Sequence, residues 1–181
     1  MSSIVVAGDT SGSITLSAPA IAGSTTLTLP SISGTVAIAG PAFSARSAVS
    51  QSISNNTYTK VVLGTEDYDT NNNFASSRFT PTVAGYYQFN VIVGSTGSSL
   101  VQQLYVQLYK NAGGFDPALF NINPSAAYVS NGVHQMGGSL TMYLNGGGDF
   151  IELYVYVYNA GITILTGYNA ALLTGTFVRA S

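Results

Sequence analysis

Few side chains in this sequence can do chemistry, and their spacing argues against most reactions. The single histidine, His134, sits in Ser130-Asn131-Gly132-Val133-His134-Gln135, and there is no cysteine. A nucleophile–histidine–acid site would need His134, yet neither Gly-x-Ser-x-Gly nor another supporting motif accompanies it. It reads as an ordinary loop or strand-end histidine. Without cysteine there is no thiol nucleophile, Cys-ligated zinc or disulfide framework, and the redox compartment is left open. Paired-carboxylate hydrolysis could draw on Glu66, Asp67, Asp69, Asp149 or Glu152. The first three fall in the turn-rich stretch 64–73, where solvated loop acids are expected. The same stretch, Glu66-Asp67-Tyr68-Asp69-Thr70-Asn71-Asn72-Asn73, offers oxygens to calcium but lacks EF-hand spacing. Gly146-Gly147-Gly148 has no lysine or following helix for a phosphate loop and reads as a hairpin turn. No catalytic residue, metal or cofactor is assigned, and the chain is not read as an enzyme.

The more informative chemistry is tyrosine on strands. Period-two alternation puts Tyr87, Phe89, Val91 and Val93 on one face of a strand, and Ile151, Leu153, Val155 and Val157 on one face of another. Leu100, Leu104, Val106 and Leu108 form a third apolar row, interrupted by Gln102, and Leu140, Met142 and Leu144 a fourth. The opposite faces carry Tyr86, Gln88 and Asn90; Gln103, Tyr105, Gln107 and Tyr109; Thr141 and Tyr143; and Glu152, Tyr154, Tyr156 and Tyr158. Solvated strand faces usually carry Thr, Lys and Glu, whereas rigid amphipathic Tyr is enriched at interfaces. Tyr86, Gln88, Tyr105, Gln107, Tyr109, Tyr143, Tyr154, Tyr156 and Tyr158 are therefore the candidate subunit-contact residues. Tyrosine chosen for β-propensity and cross-strand pairing is the plainer reading.

Those strands are separated by turn signals at 94–97, 111–114 and 145–149, with no helical period anywhere, so the region is expected to be a β-sandwich or jelly roll. A different chemistry precedes it. Residues 1–42 contain no Phe or Tyr, and Asp9 is their one charge. They alternate in bursts, Ser13-Ile14-Thr15-Leu16-Ser17, Thr25-Thr26-Leu27-Thr28-Leu29 and Thr35-Val36-Ala37-Ile38, divided by Gly and Pro turns. Three or four short strands, each with one apolar row, are expected. So short a segment with mostly Ala, Val, Leu and Ile to bury does not complete a core alone. Residues 1–42 are therefore read as a β-rich arm that packs with neighbouring chains, and 43–181 as a separate domain. Ile14, Leu16, Leu27, Leu29, Val36 and Ile38 are its candidate anchoring residues.

Composition agrees with assembly. Of 181 residues only 7% are charged, against roughly 25% in an ordinary soluble domain. Hydration falls instead to 22 Ser, 18 Thr and 13 Asn, which leaves little repulsion between copies. A net charge of −2 gives no basic patch for nucleic acid. No apolar run reaches the length of a transmembrane helix, and residues 1–9 lack the basic start and apolar core of a signal peptide, so no membrane partner is expected.

The segment Leu63-x5-Asp69-x4-Phe74-x4-Phe79-Thr-Pro-x3-Gly85-Tyr-Tyr87-Gln-Phe89-x-Val91 resembles the signature of C1q/TNF-like globular domains. Leu108-Tyr109-Lys110-Asn111, Gly148-Asp149-Phe150-Ile151-Glu152-Leu153 and Thr174-Gly175-Thr176-Phe177-Val178 extend the likeness, which covers about 43–181. The resemblance implies a ten-stranded jelly roll assembling as a homotrimer, with the aromatic face of one sheet near the threefold axis. The N-terminal run Gly8-Asp9-Thr10-Ser11-Gly12-Ser13-Ile14-Thr15-Leu16, with Thr26-Leu27-Thr28-Leu29-Pro30 and Gly34-Thr35-Val36-Ala37, is similar to the start of many bacteriophage virion and tail-fibre proteins. No collagen-like Gly-X-Y stalk stands here.

Together these readings give an all-β chain: a C-terminal jelly-roll sandwich with an N-terminal intertwined β arm, as a homotrimer. The expected function is structural, a bacteriophage surface decoration (cement) protein that binds and stabilises the capsid. Its partners would be its own copies and, through 1–42, the major capsid protein or another virion protein. Its location would be the virion, assembled in the bacterial host cytoplasm. The alternative is a tail-fibre or receptor-binding knob reading a host-surface glycan, with loops around Asn71, Phe115 and Tyr168 carrying the contact.

Overall fold

The computed structural model describes residues 3–7, 10–17, 20, 21, 24, 26, 31, 39–97, 101–114, 120–122, 132–167 and 170–180. The chain divides into two compact units, Met1–Val36 and Ala37–Ser181.

In the first unit, β1 (Ser3–Ala7) and β2 (Ser13–Ser17) pair antiparallel, with Ile4 opposite Leu16 and Val6 opposite Ile14. Ile14 and Leu16 alternate with Ser and Thr along β2, and the register puts Ile4 and Val6 on the same face, with Val5 on the other opposite Thr15. The bursts at 25–29 and 35–38 fall almost wholly outside the described residues.

The second unit holds fourteen strands in two seven-stranded sheets. They are β3 (Ala42–Arg46), β4 (Gln51–Ile53), β5 (Thr59–Lys60), β6 (Thr65–Asp69), β7 (Phe74–Ala75), β8 (Arg78–Phe79), β9 (Gly85–Gly97), β10 (Gln103–Lys110), β11 (Gly113–Gly114), β12 (Phe120–Ile122), β13 (Val133–Leu144), β14 (Ile151–Tyr158), β15 (Ile162–Ile164) and β16 (Leu172–Arg179). The first sheet runs β4-β15-β9-β16-β3-β6, with β13 also paired to β9. The second is built on β10 and β14, with β11 and β12 against β10 and with β5 and the β7–β8 hairpin against β14. The count exceeds ten because several of these strands are only two or three residues long. Among the described residues there is no α-helix.

The apolar rows meet between the sheets as the alternation predicts. Tyr87, Phe89, Val91 and Val93 from β9 face Leu104, Val106 and Leu108 from β10 and Ile151, Leu153, Val155 and Val157 from β14, all at most 2% exposed. At one end an aromatic cluster closes the core. Phe43 stacks on Phe79 at 4.4 Å and on Phe74 at 4.9 Å, while Tyr87 meets Phe79 and Phe177 edge-on at 5.6 and 5.4 Å. Burial pushes the Tyr87 phenol up to about 12, and its hydroxyl donates to the Val83 carbonyl at 2.7 Å. The residues that carried the family likeness, Leu63, Phe74, Phe79, Tyr87 and Phe89, are thus core residues. Gly85 stands two residues before Tyr87, where a side chain's Cβ would come within 2.6 Å of the Phe177 ring and closer still to the Arg179 carbonyl.

Three turn expectations are corrected. Residues 94–97 continue β9, because their backbone groups pair with β13 and β15. Residues 65–69 form β6 at the sheet edge beside β3, where charged side chains remain in water. The Gly146–Gly148 turn joins β13 in one sheet to β14 in the other, so it is a crossover between layers and makes no hairpin. The turn at 111–114 is a hairpin, with Asn111 and Ala112 at φ of 54° and 62°.

Candidate interaction surfaces

The acids go first into scaffolding. Asp67 accepts from Arg46 Nε at 2.8 Å and from Ser44 at 3.1 Å, and the Arg46 hydrogen bond holds its carboxyl below the ordinary range. Asp69 accepts from the backbone amides of Phe74 and Asn71, tying the turn that follows β6. Asp149 accepts from Asn111 Nδ2 at 2.7 Å, from Lys110 Nζ at 2.8 Å and from the Asn145 amide at 3.0 Å. The Asn111 bond, then Lys110, lowers its pKa. Glu152 is 2% exposed, and its Oε1 accepts from Lys60 Nζ at 2.6 Å and Arg78 Nε at 2.9 Å. Burial pushes this carboxyl up, but the two cations outweigh burial and leave it below its usual value. Among the described residues no three of His, Asp and Glu come together as a metal-binding group. His134 lies on β13, half-buried and opposite Ser95.

The nine candidate contact residues occupy two faces. Tyr86, Gln88 and Tyr143 are on the outer face of the first sheet, with Tyr143 opposite Tyr86 and Thr141 opposite Gln88. The Tyr86 and Tyr143 rings meet edge-on at 5.7 Å, Arg179 lies 4.9 Å over Tyr86, and Asn90 donates to Thr174 at 3.2 Å.

Tyr105, Gln107, Tyr109, Tyr154, Tyr156 and Tyr158 are on the outer face of the second sheet, where β10 and β14 pair in register. Tyr105 stands opposite Tyr156, and Gln107 opposite Tyr154. Tyr109 stacks on Tyr154 at 4.0 Å, and Tyr105 meets Tyr156 edge-on at 5.8 Å. Tyr58 completes the group, 4.7 Å from Tyr156 and 6.0 Å from Tyr109. It precedes β5 in a stretch with no alternation, so only the folded chain reveals it. Burial, then neighbouring phenols or Glu152, raises the pKa of Tyr58, Tyr109 and Tyr154, so these hydroxyls stay protonated donors near neutrality. The outer faces of a two-layer sandwich point in opposite directions. What the sequence presents as one set of tyrosines is two surfaces.

Of the anchoring candidates, Ile14 and Leu16 are on β2, 69% and 59% exposed. Leu27, Leu29, Val36 and Ile38 lie outside the described residues, as do Phe115 and Tyr168, while Asn71 is exposed in the turn after β6.

The chain is similar in fold to known structures. Murine APRIL has a TM-score of 0.54 at 13% identity, covering 76% of this chain and 99% of that one. The Eiger TNF of S. frugiperda has a TM-score of 0.51 at 9% identity, covering 79% and 94%. The fold is a TNF-like jelly roll. At such identities the likeness is one of fold. No family model matches the chain, and no curated protein matches it. The TNF-like likeness gives the C-terminal region its architecture, and the surfaces of that jelly roll must speak for its function.

Proposed function

We propose that this chain is a structural protein of a bacteriophage virion, a homotrimeric decoration protein that attaches to the capsid and stabilises it. Residues 1–42 are the anchoring and trimerisation arm, and the TNF-like jelly roll is the knob. The observation that carries this reading is the hairpin. Ile4, Val6, Ile14 and Leu16 share one face and are 66%, 55%, 69% and 59% exposed in the chain by itself. A contiguous apolar row of this kind marks an interaction site, and a lone two-stranded hairpin is marginal until something packs on it. Attachment then completes the arm's fold, so binding to the particle also stabilises the arm. The similarity of the N-terminal run to phage virion and tail-fibre proteins supports the choice of partner, and the scarcity of charge supports close packing of copies.

In the trimer, each knob reaches two neighbours that lie on the same side of it, so two opposed faces cannot both be buried at one threefold axis. The first-sheet face, Tyr86, Gln88 and Tyr143, is the one assigned to the axis. Its middle, Gln88, Asn90 and Thr141 with the exposed Ile92, is uncharged, as interface centres generally are, and Arg179 stands only at its Tyr86 end. By contrast, Glu152 with Lys60 and Arg78 sits within the row of the second face.

The test uses particles that lack the protein. Adding the purified full chain should restore heat resistance without changing host range, and a chain lacking residues 1–36, the first unit, should remain a soluble trimer that no longer attaches. A knob antibody that blocks adsorption without affecting particle stability would establish the tail-fibre reading instead. By light scattering, Gln88→Arg should yield monomers and Gln107→Arg should not; the reverse outcome would move the axis to the second face.

A further inference from the structure

At the end of the second tyrosine face, an open cleft of about 500 Å³ carries a charge arrangement found nowhere else among the described residues. Lys60, Asn72, Ser76, Arg78, Thr80 and Thr82 line it, with Asn73 and Ala75. Here two cations share one carboxylate, because Lys60 and Arg78 both bond Glu152 Oε1. The other ion pairs, Arg46 with Asp67 and Lys110 with Asp149, are one-to-one. Asp69, the remaining acid of the neighbouring turn, accepts from two backbone amides and does not line the cleft. The rim therefore holds an excess positive charge on a chain whose net charge is −2.

Both cations are held in place before any ligand arrives. Lys60 Nζ also donates to the Ser76 carbonyl at 2.9 Å, and the Arg78 guanidinium lies 3.9 Å over the Phe150 ring. Arg78 meets Glu152 through Nε, which leaves its two Nη groups outside that ion pair, and its side chain is 44% exposed. A guanidinium fixed along one edge loses little entropy on binding an oxyanion with the rest of its fork. The rim backbone is strained as well. Ser76 and Ser77 occupy the two-residue β7–β8 turn at φ of 52° and 56°, positions that favour Asn-Gly. The Ser77 hydroxyl accounts for one of them by accepting from the Leu63 amide at 2.8 Å.

Apart from the Ala75 methyl, the rest of the lining is hydroxyl and amide, suited to a ligand rich in hydroxyls. Tyr154 is opposite Lys60 in register and shares the outer face with Glu152, so the aromatic row begins where the cleft ends. Apolar ring faces beside a few placed polar groups are the usual make-up of a site that orients a small ligand. We propose that this cleft binds a carboxylate-bearing sugar: Arg78 and Lys60 take the carboxylate, Thr80, Thr82 and Asn72 take hydroxyls, and Tyr154 lies against the next ring. This goes beyond the virion reading and does not depend on it. It also puts saccharide contact in the cleft, away from the loops around Phe115 and Tyr168.

The full-length protein is titrated calorimetrically with galacturonic acid trimer, N-acetylneuraminic acid, neutral galactose trimer and inorganic phosphate. At least one acidic sugar should bind saturably, about tenfold or more tighter than the neutral trimer or phosphate. Arg78→Gln and Thr82→Val should each weaken that binding about tenfold. Thr82 takes no part in the ion pairs, so its variant keeps the test valid if Arg78→Gln proves unstable. Equal binding of neutral and acidic trimers, phosphate binding as tight as the sugars, no saturable binding by any probe at about 10 mM, or undiminished binding in Thr82→Val would each overturn the assignment.

Discussion

The two units of this chain use the same alternation and reach opposite ends. In β1 and β2, Ile4, Val6, Ile14 and Leu16 line one face by the same period of two and remain more than half exposed. In β9, Tyr87, Phe89, Val91 and Val93 alternate in the same way and are at most 2% exposed. Strand propensity does not separate them, since both segments are rich in β-branched residues. The number of layers does. Among the described residues the two strands supply one layer, whereas the sandwich closes one sheet against the other. Alternation therefore says which side of a strand is apolar, and only topology says what covers that side.

Core truncation should make the contrast plainest. Phe43 is fully buried and stacks on both Phe74 and Phe79, so Phe43→Ala should destabilise the sandwich by about 3–5 kcal/mol in urea titration. A loss below about 1 kcal/mol would mean the cluster does not hold the sheets together. Next comes Glu152→Gln, which removes the charge shared by Lys60 and Arg78 and should cost about 1.5–3 kcal/mol at pH 7. The sign of its pH dependence follows from the direction of the shifts. The folded carboxyls of Glu152 and Asp149 lie below their ordinary 4.5 and 3.8. Their contribution is complete above those values and is lost as pH falls through the folded ones. Wild-type stability should thus drop in acid below about pH 4.5, and Glu152→Gln should flatten that slope. An unchanged acid slope in the variant would remove Glu152 as its cause. Gly175→Ala should cost a further kind of stability, about 1–3 kcal/mol, because a methyl there runs into the rings of Phe43 and Phe89.

What was legible in the sequence divides along the same line. The apolar rows and the Gly85-Tyr87-Phe89 run could be read because each depends on local alternation and local packing; apart from Leu100, which lies outside the described residues, the rows lie in or against the core. The acids at 66–69 read as loop residues because an edge strand needs little apolar residue to form; its pairing with β3 is a long-range fact. The Gly146–Gly148 turn reads as a hairpin because a tight turn looks alike whether the chain stays in its sheet or crosses to the other. The tyrosines merged into one set for the same reason. Tyr86 and Tyr105 alternate alike, and only sheet membership puts them on opposite sides of the molecule. The cleft was invisible, since Lys60, Arg78 and Glu152 come from three strands far apart in sequence.

The smallest effect on the isolated chain falls in the hairpin, and it is the most discriminating. Ile14→Ser with Leu16→Ser removes apolar groups that water already reaches, so the unfolding midpoint of the sandwich should move by no more than about 0.5 kcal/mol equivalent. The same pair should abolish attachment to particles, because there the row would be buried and each lost aliphatic side chain would forfeit about 1.5–3 kcal/mol. Thr15→Val, on the opposite face of the same strand, controls for β-propensity and should leave attachment intact. If the serine pair attaches normally, the exposed row is not the anchor. The two units would then differ only in how much of their apolar surface the fold happens to cover.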